Sequence, residues 1–150
     1  MNKINLVQNL AKEVDMIGIS TSLKDYRLSL FINNTFSLCL KKLNDFDADY
    51  IVKKDNSRFS VYYYNDIDNL TKYFLLSNKC NLSVLIPSYK QADFFMIMLS
   101  SVLKNNTDEI INKIKKIKNI QTAFPVDKSQ IKIFNSLING LTYHLEINTM

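Results

Sequence analysis

ADFFMIMLSSVLKNNTDEIINKIKKIKNIQTAFPV, residues 92–126, sets two apolar runs on either side of a lysine-rich helical pattern. FFMIML has no polar break after Asp93 and is too short for a helix to be preferred, so it reads as a strand buried on both faces. Thr107 is placed to cap a helix in which Ile110, Ile111, Ile114 and Ile117 form one stripe. Lys113, Lys115, Lys116 and Lys118 fall mostly on its other sides, and IQTAFPV follows at once as a second strand. Strand, helix, strand in this order is a βαβ unit, which predicts parallel strands and a right-handed crossover.

Upstream, Ser22 is placed to cap a helix with Asp25 at its third position. Leu23, Tyr26, Leu30 and Phe31 recur there at helical spacing, to about Asn33 or Asn34, and SLCLKKL resumes an extended pattern. The middle third reads as a strand meander: DADYIV, a turn at KKDNS, RFSVYYY, a turn at NDIDN, and TKYFLLS. Strict alternation puts Tyr62 and Tyr64 on one face of RFSVYYY, and Phe59, Val61 and Tyr63 on the other. Downstream, Asp127 with Gln130 makes a capping-box pattern, and Ile131, Phe134, Leu137 and Ile138 give a helical apolar face that Gly140 would close. LTYHLEI then alternates as a last strand with one wet face. The opening supports two readings, a helix over NLVQNLAKEV or short strands at NKINLV and VDMIGIS.

These elements predict one α+β domain over residues 1–150: a mostly antiparallel sheet with a βαβ unit in its C-terminal half and helices packed on one face. Ferredoxin-like or ACT-like arrangements are the nearest analogy, and such an analogy carries no function.

Several chemistries lack their parts. With only Gly18 and Gly140, and no GxGxxG, P-loop or GxSxG, a glycine-rich phosphate cradle has nothing to be built from. His144 is the one histidine, so any triad would depend on it, and its alternation puts it on the polar face of the last strand, exposed and without a partner. Cys39 and Cys80 stand far apart, which fits neither zinc-ligand spacing nor a disulfide framework and suits reduced thiols serving as small core hydrophobes. Asp45, Asp47 and Asp49 would project to one side of an extended chain, either as a Mg2+ or Ca2+ site or as a solvated edge that discourages sheet pairing. The edge reading is preferred, and no metal or cofactor is expected.

Lys12, Glu13 and Asp15 interrupt the opening where a signal peptide needs an apolar core, and no run elsewhere reaches about 18 apolar residues. Those observations predict a cytoplasmic protein with no membrane partner. The net charge of +5 permits attraction to nucleic acid without requiring it. Arg58, Tyr62 and Tyr64 on a strand, with the lysines 113, 115, 116 and 118 on a helix, are the residues such binding would use, although SRFSVYYY lacks the glycines of an RNA-recognition motif.

IPSYKQADF, residues 86–94, resembles the signature of the IPExxxVDY family, small bacterial proteins without an assigned activity. GISTSLKDYRLSLFIN, YFLLSNK and IKKIKNIQTAF are similar to further blocks of that family in the same order. Ile86, Pro87 and Asp93 keep the signature, whereas Ser88, Ala92 and Phe94 stand where the family name has Glu, Val and Tyr. A catalytic carboxylate would not survive as Ser88, nor a catalytic phenol as Phe94. A turn feeding a buried strand tolerates both, so the motif reads as structural: Pro87 fixes φ, Ile86 is held extended, and Asp93 accepts backbone N–H groups at the start of the next strand. Whether Asp93 also serves a function stays open at this level.

Together these features predict a non-enzymatic binding or regulatory module, with no catalytic residues, that recognises a protein or small ligand through a sheet edge or groove. An edge of this kind also suits a homodimer. The alternative is RNA or other nucleic-acid binding through the Tyr62–Tyr64 strand and the Lys113–Lys118 helix.

Overall fold

The computed structural model of the chain describes residues 14–81, 83–100 and 106–148. In chain order its strands are β1 (Val14–Thr21), β2 (Lys41–Lys42), β3 (Phe46–Asp47), β4 (Arg58–Phe59), β5 (Val61–Asp66), β6 (Thr71–Ser77), β7 (Lys79–Cys80), β8 (Ser83–Val84), β9 (Phe94–Ser100) and β10 (Ile120–Pro125). The helices are α1 (Asp25–Phe36), α2 (Asp49–Val52), α3 (Thr107–Lys115) and α4 (Phe134–Asn148). Among the described residues no helix is long and apolar enough to cross a membrane.

Six strands form the main sheet in the order β10-β1-β9-β6-β5-β2, with every neighbouring pair antiparallel. Because β9 and β10 both run antiparallel to β1, they are parallel to each other, and α3 connects them across it. The expected βαβ unit is therefore present, with β1 inserted between its two strands, and the α+β class holds. FFMIML is the buried strand expected of it: along β9 every residue but the half-buried Leu99 is buried.

The helices are not confined to one face. β1, β6 and β9 carry apolar side chains at both parities, so each face of the sheet presents surface that must be covered. On one face α1 and α3 bury Leu28, Ile32, Ile111 and Ile114 against Ile17, Ile19, Leu75 and Met96. On the other, α4 buries Leu137, Ile138, Leu141 and Leu145 against Val14, Met16, Phe74 and Ile97.

Several expectations change. In α1 the core stripe is Leu28 and Ile32, while Tyr26 and Leu30 are 60% and 56% exposed. Ser22 does not cap it; Lys24 holds the N-cap position and makes no side-chain cap bond, and the helix runs to Phe36. DADYIV is not a strand. Asp47 accepts the N–H of Asp49, and Asp49 accepts the N–H of Ser57, so side-chain bonds wind the segment into the one-turn helix α2. Cys39 is exposed rather than core, and both cysteines are free thiols. The helical reading of residues 5–14 falls largely outside the described residues, whereas VDMIGIS is the strand β1.

LTYHLEI is the second half of α4, not a strand. Leu141 and Leu145 satisfy an alternating pattern, yet they also continue Leu137 at helical spacing, and the core selects the helix. Gly140 lies inside the helix, not at its end. A Cβ there would collide with Tyr50 Oη and come within 3.1 Å of Phe46 Cζ, so glycine lets α2 and β3 approach α4 closely.

Candidate functional site

The signature segment is wound about a residue outside it. Asn78, just past the end of β6, is 0% exposed. Its Nδ2 donates to the carbonyls of Tyr89 and Ala92 at 3.0 and 2.9 Å, and its Oδ1 accepts the N–H of Ile86 at 2.8 Å. Its backbone N–H donates to the Asp93 carbonyl and its own carbonyl accepts Leu85 N–H, both at 2.9 Å. Five hydrogen bonds thus fold residues 85–93 around one asparagine. Ile86 is extended at φ −119°, as a residue before proline should be, and Pro87 opens a 3-10 turn over Pro87–Tyr89.

Asp93 does accept a backbone N–H, but on β1 rather than on the strand it precedes. The β1–β9 ladder runs as far as Ile19 opposite Phe94, and Asp93 Oδ2 then takes the Thr21 N–H at 2.8 Å beside a bulge in the β1–β10 pairing. Its other oxygen accepts from Lys79 Nζ at 2.7 Å. Both oxygens are therefore committed to holding chain segments together. Replacing Asp93 with Ala should lower stability by about 2 kcal/mol, because charge-assisted bonds are lost, and Asp93→Asn, which keeps an acceptor for Thr21, should cost less. Urea unfolding of the two variants measures the difference.

Tyr89 ties the turn to the rest of the fold. Its ring stacks on Phe124 with centroids 6.0 Å apart, and its Oη accepts the Asp127 N–H at 2.9 Å. Asp127 caps only a 3-10 turn at Lys128–Gln130, so the expected capping box does not start the long helix. Between this turn, α2 and the signature lies a pocket of about 400 Å³. Ile51, Val52, Leu85, Pro87, Ile131 and Ile133 give it aliphatic walls, and Ser88, Gln130 and Lys132 supply polar groups.

A second cluster, which the sequence reading missed, joins α1 to β2. Lys42 Nζ sits 3.2 Å from Asp25 and 3.3 Å from Asp45, and lies 5.4 Å from the centre of the Tyr62 ring. Burial would push the Asp25 carboxyl up, but hydrogen bonds from Lys42 and the Tyr26 N–H, the Lys42 charge and Ser60 outweigh it and hold the carboxyl below its ordinary 3.8. Burial would lower Lys42; bonds to Asp25 and Asp45 together with their charges raise it. Burial, then the Asp25 charge, pushes the Tyr62 phenol up. A depressed carboxyl contributes stability above its unfolded pKa and loses it as pH falls through the folded value. Melting temperature should therefore drop on acidification below pH 3.8, and drop less steeply in Lys42→Met, where Asp25 has lost its partner.

The remaining candidates separate. Tyr62 is 8% exposed beneath Lys42, so its ring is closed to a stacking base, and Tyr64 is half-buried and stacked on Tyr73. Arg58 is exposed on β4 and pairs with Asp47 at 3.8 Å. Lys113, Lys115, Lys116 and Lys118 are exposed on α3 and just beyond it, on the sheet's far side from β5 in strand order. Tyrosine strand and lysine helix do not form one surface. Asp45, Asp47 and Asp49 each hold a different partner, Lys42, Arg58 and Ser57 N–H, and among the described residues no group of three His, Cys, Asp or Glu is placed to hold a metal ion. His144 is not the unpartnered surface residue expected: it sits on α4, with Nε2 2.6 Å from the Asn44 carbonyl and its ring edge-on to Phe46.

Neither protein-family models nor curated proteins give a match to this sequence.

Proposed function

We propose that this chain is a cytoplasmic, IPExxxVDY-like binding module that works without catalysis, and that its ligand places an aliphatic group in the pocket against the signature turn. The pocket supports the reading most directly: about 400 Å³ falls within the range of small-molecule sites, which are mostly apolar with a few orienting polar groups. Asp93 is committed to Thr21 and Lys79, so the signature's carboxylate serves as a clamp rather than a reagent. Ser88 lies in the lining where the family name has Glu. On this reading the change removes a negative charge from a lining that also holds Lys132 and favours a ligand with an anionic end.

Decanoate, an aliphatic chain with a carboxylate, tests the proposal by methyl-resolved NMR titration. Saturable shifts confined to Ile51, Val52, Leu85, Ile131 and Ile133, lost when Ile133→Trp fills the space, are the expected result. Absence of saturable shifts, or unchanged shifts in Ile133→Trp, would count against the pocket.

A further inference from the structure

On the opposite face of the sheet from the signature pocket, α1 and α3 flank an open groove of about 350 Å³. Phe31, Asn34 and Thr35 form one wall; Lys113, Lys116, Ile117 and Lys118 form the other. Among the described residues no acidic side chain lines it. The helical segments that supply the walls, residues 25–36 and 107–118, contain five basic residues and three acidic ones, of which Asp25 is held by Lys42. Of the groove lysines, Lys113 has an acidic neighbour, Glu109 at 3.7 Å on its own helix. The partly exposed Phe31 ring has the Arg27 guanidinium over it, 5.8 Å from its centre, which leaves its other face for stacking.

We propose that this groove binds single-stranded nucleic acid, with Lys113, Lys116 and Lys118 on the phosphates and a base stacked on Phe31. A row of cations matches the spaced charges of a phosphate backbone, and stacking on an aromatic ring asks only for an unpaired base, so binding tolerates many sequences. Duplex fits poorly, because its bases are engaged in their own stack. The Asn34 amide and Thr35 at the rim can reach sugar or base edges. This site differs from the one first expected: it uses the lysine helix but takes its aromatic from α1, because Tyr62 is covered. It is independent of the signature pocket.

The test is fluorescence anisotropy with a fluorescein-labelled twelve-nucleotide uridine strand, using the full chain. Three phosphate contacts predict a slope of roughly −2 in log K against log salt. Lys113→Glu, Lys116→Glu and Lys118→Glu together should weaken binding at least about tenfold at low salt and flatten that slope. Phe31→Ala should weaken it by about five- to tenfold, the lower part of the range for one stacked base, with the slope preserved. Lys90→Glu, on the signature turn, should change nothing, and circular dichroism melting checks that each variant is folded. Failure of the strand to bind at low salt, or binding unaffected by the triple variant, overturns the proposal. An unchanged affinity in folded Phe31→Ala, or equal affinity for duplex, overturns it in favour of general polyanion attraction.

Discussion

Asn78→Ala should lower the stability of this protein by about 4 kcal/mol, the largest effect expected of any single polar substitution in the fold. The side chain has no exposure and serves three backbone groups, the carbonyls of Tyr89 and Ala92 and the N–H of Ile86. Alanine would leave all three without their partner inside the protein, at about 1–3 kcal/mol for each buried group left unmade. Water entering the vacated space would recover part of that, which keeps the total below the full sum. For a domain of this size the loss corresponds to a fall in melting temperature of roughly 10–15 °C. Asn78→Asp tests the chemistry at nearly constant shape: its second oxygen cannot donate to the Tyr89 and Ala92 carbonyls, so it should be at least as damaging as Ala. A loss under about 1 kcal/mol for both variants would show that the turn holds itself together without Asn78.

Gly18→Val should cost about 2–3 kcal/mol, although valine is the better strand residue by propensity alone. Gly18 lies in β1 opposite Phe124 on one neighbour and Phe95 on the other. The Phe124 ring lies across it, so a Cβ would run into ring carbons Cε2 and Cζ. Moving that ring breaks its stack on Tyr89, and Tyr89 Oη in turn holds the N–H of Asp127. The substitution would thus disturb the signature turn through the Phe124 ring. A double-mutant cycle isolates the cause, since the penalty for Gly18→Val should shrink in a Phe124→Ala background, where no ring remains to collide. Equal penalties in both backgrounds would assign the cost to the β1 backbone instead.

The candidate sites divide along the same physical line as the elements. Lys113 to Lys118 could be placed on the outside of a helix by periodicity, and the structure leaves them there. Pro87 and Ile86 could be read as a bend because proline restricts its own φ and its neighbour's conformation within two residues. Nothing local marks Asn78 as the hub of that bend, since the groups it serves lie eight to fourteen positions along the chain. Asp25 and Lys42 are likewise ordinary surface residues until α1 and β2 bring them within 3.2 Å. Tyr62 and Tyr64 share one face of their strand, as alternation predicts, but alternation is silent on what covers a face, and α1 covers this one.

By itself the sequence determined what depends on near neighbours: the α+β class, the buried strand at Phe94–Ser100, the isoleucine stripe of the lysine helix, and the bend at Pro87. Short-range sterics and hydrophobic period are complete within about ten residues, so they can be read there. Only the tertiary structure decided that LTYHLEI is helix, that helices cover both faces, and why Gly140 and Gly18 are glycines. Leu141 and Leu145 suit either period, and it is the α4 face of the core, with Tyr50 and Phe46 pressed against Gly140, that selects one of them. Those decisions rest on surfaces that meet across the fold, where the competing local patterns are nearly equal in energy and packing settles the difference.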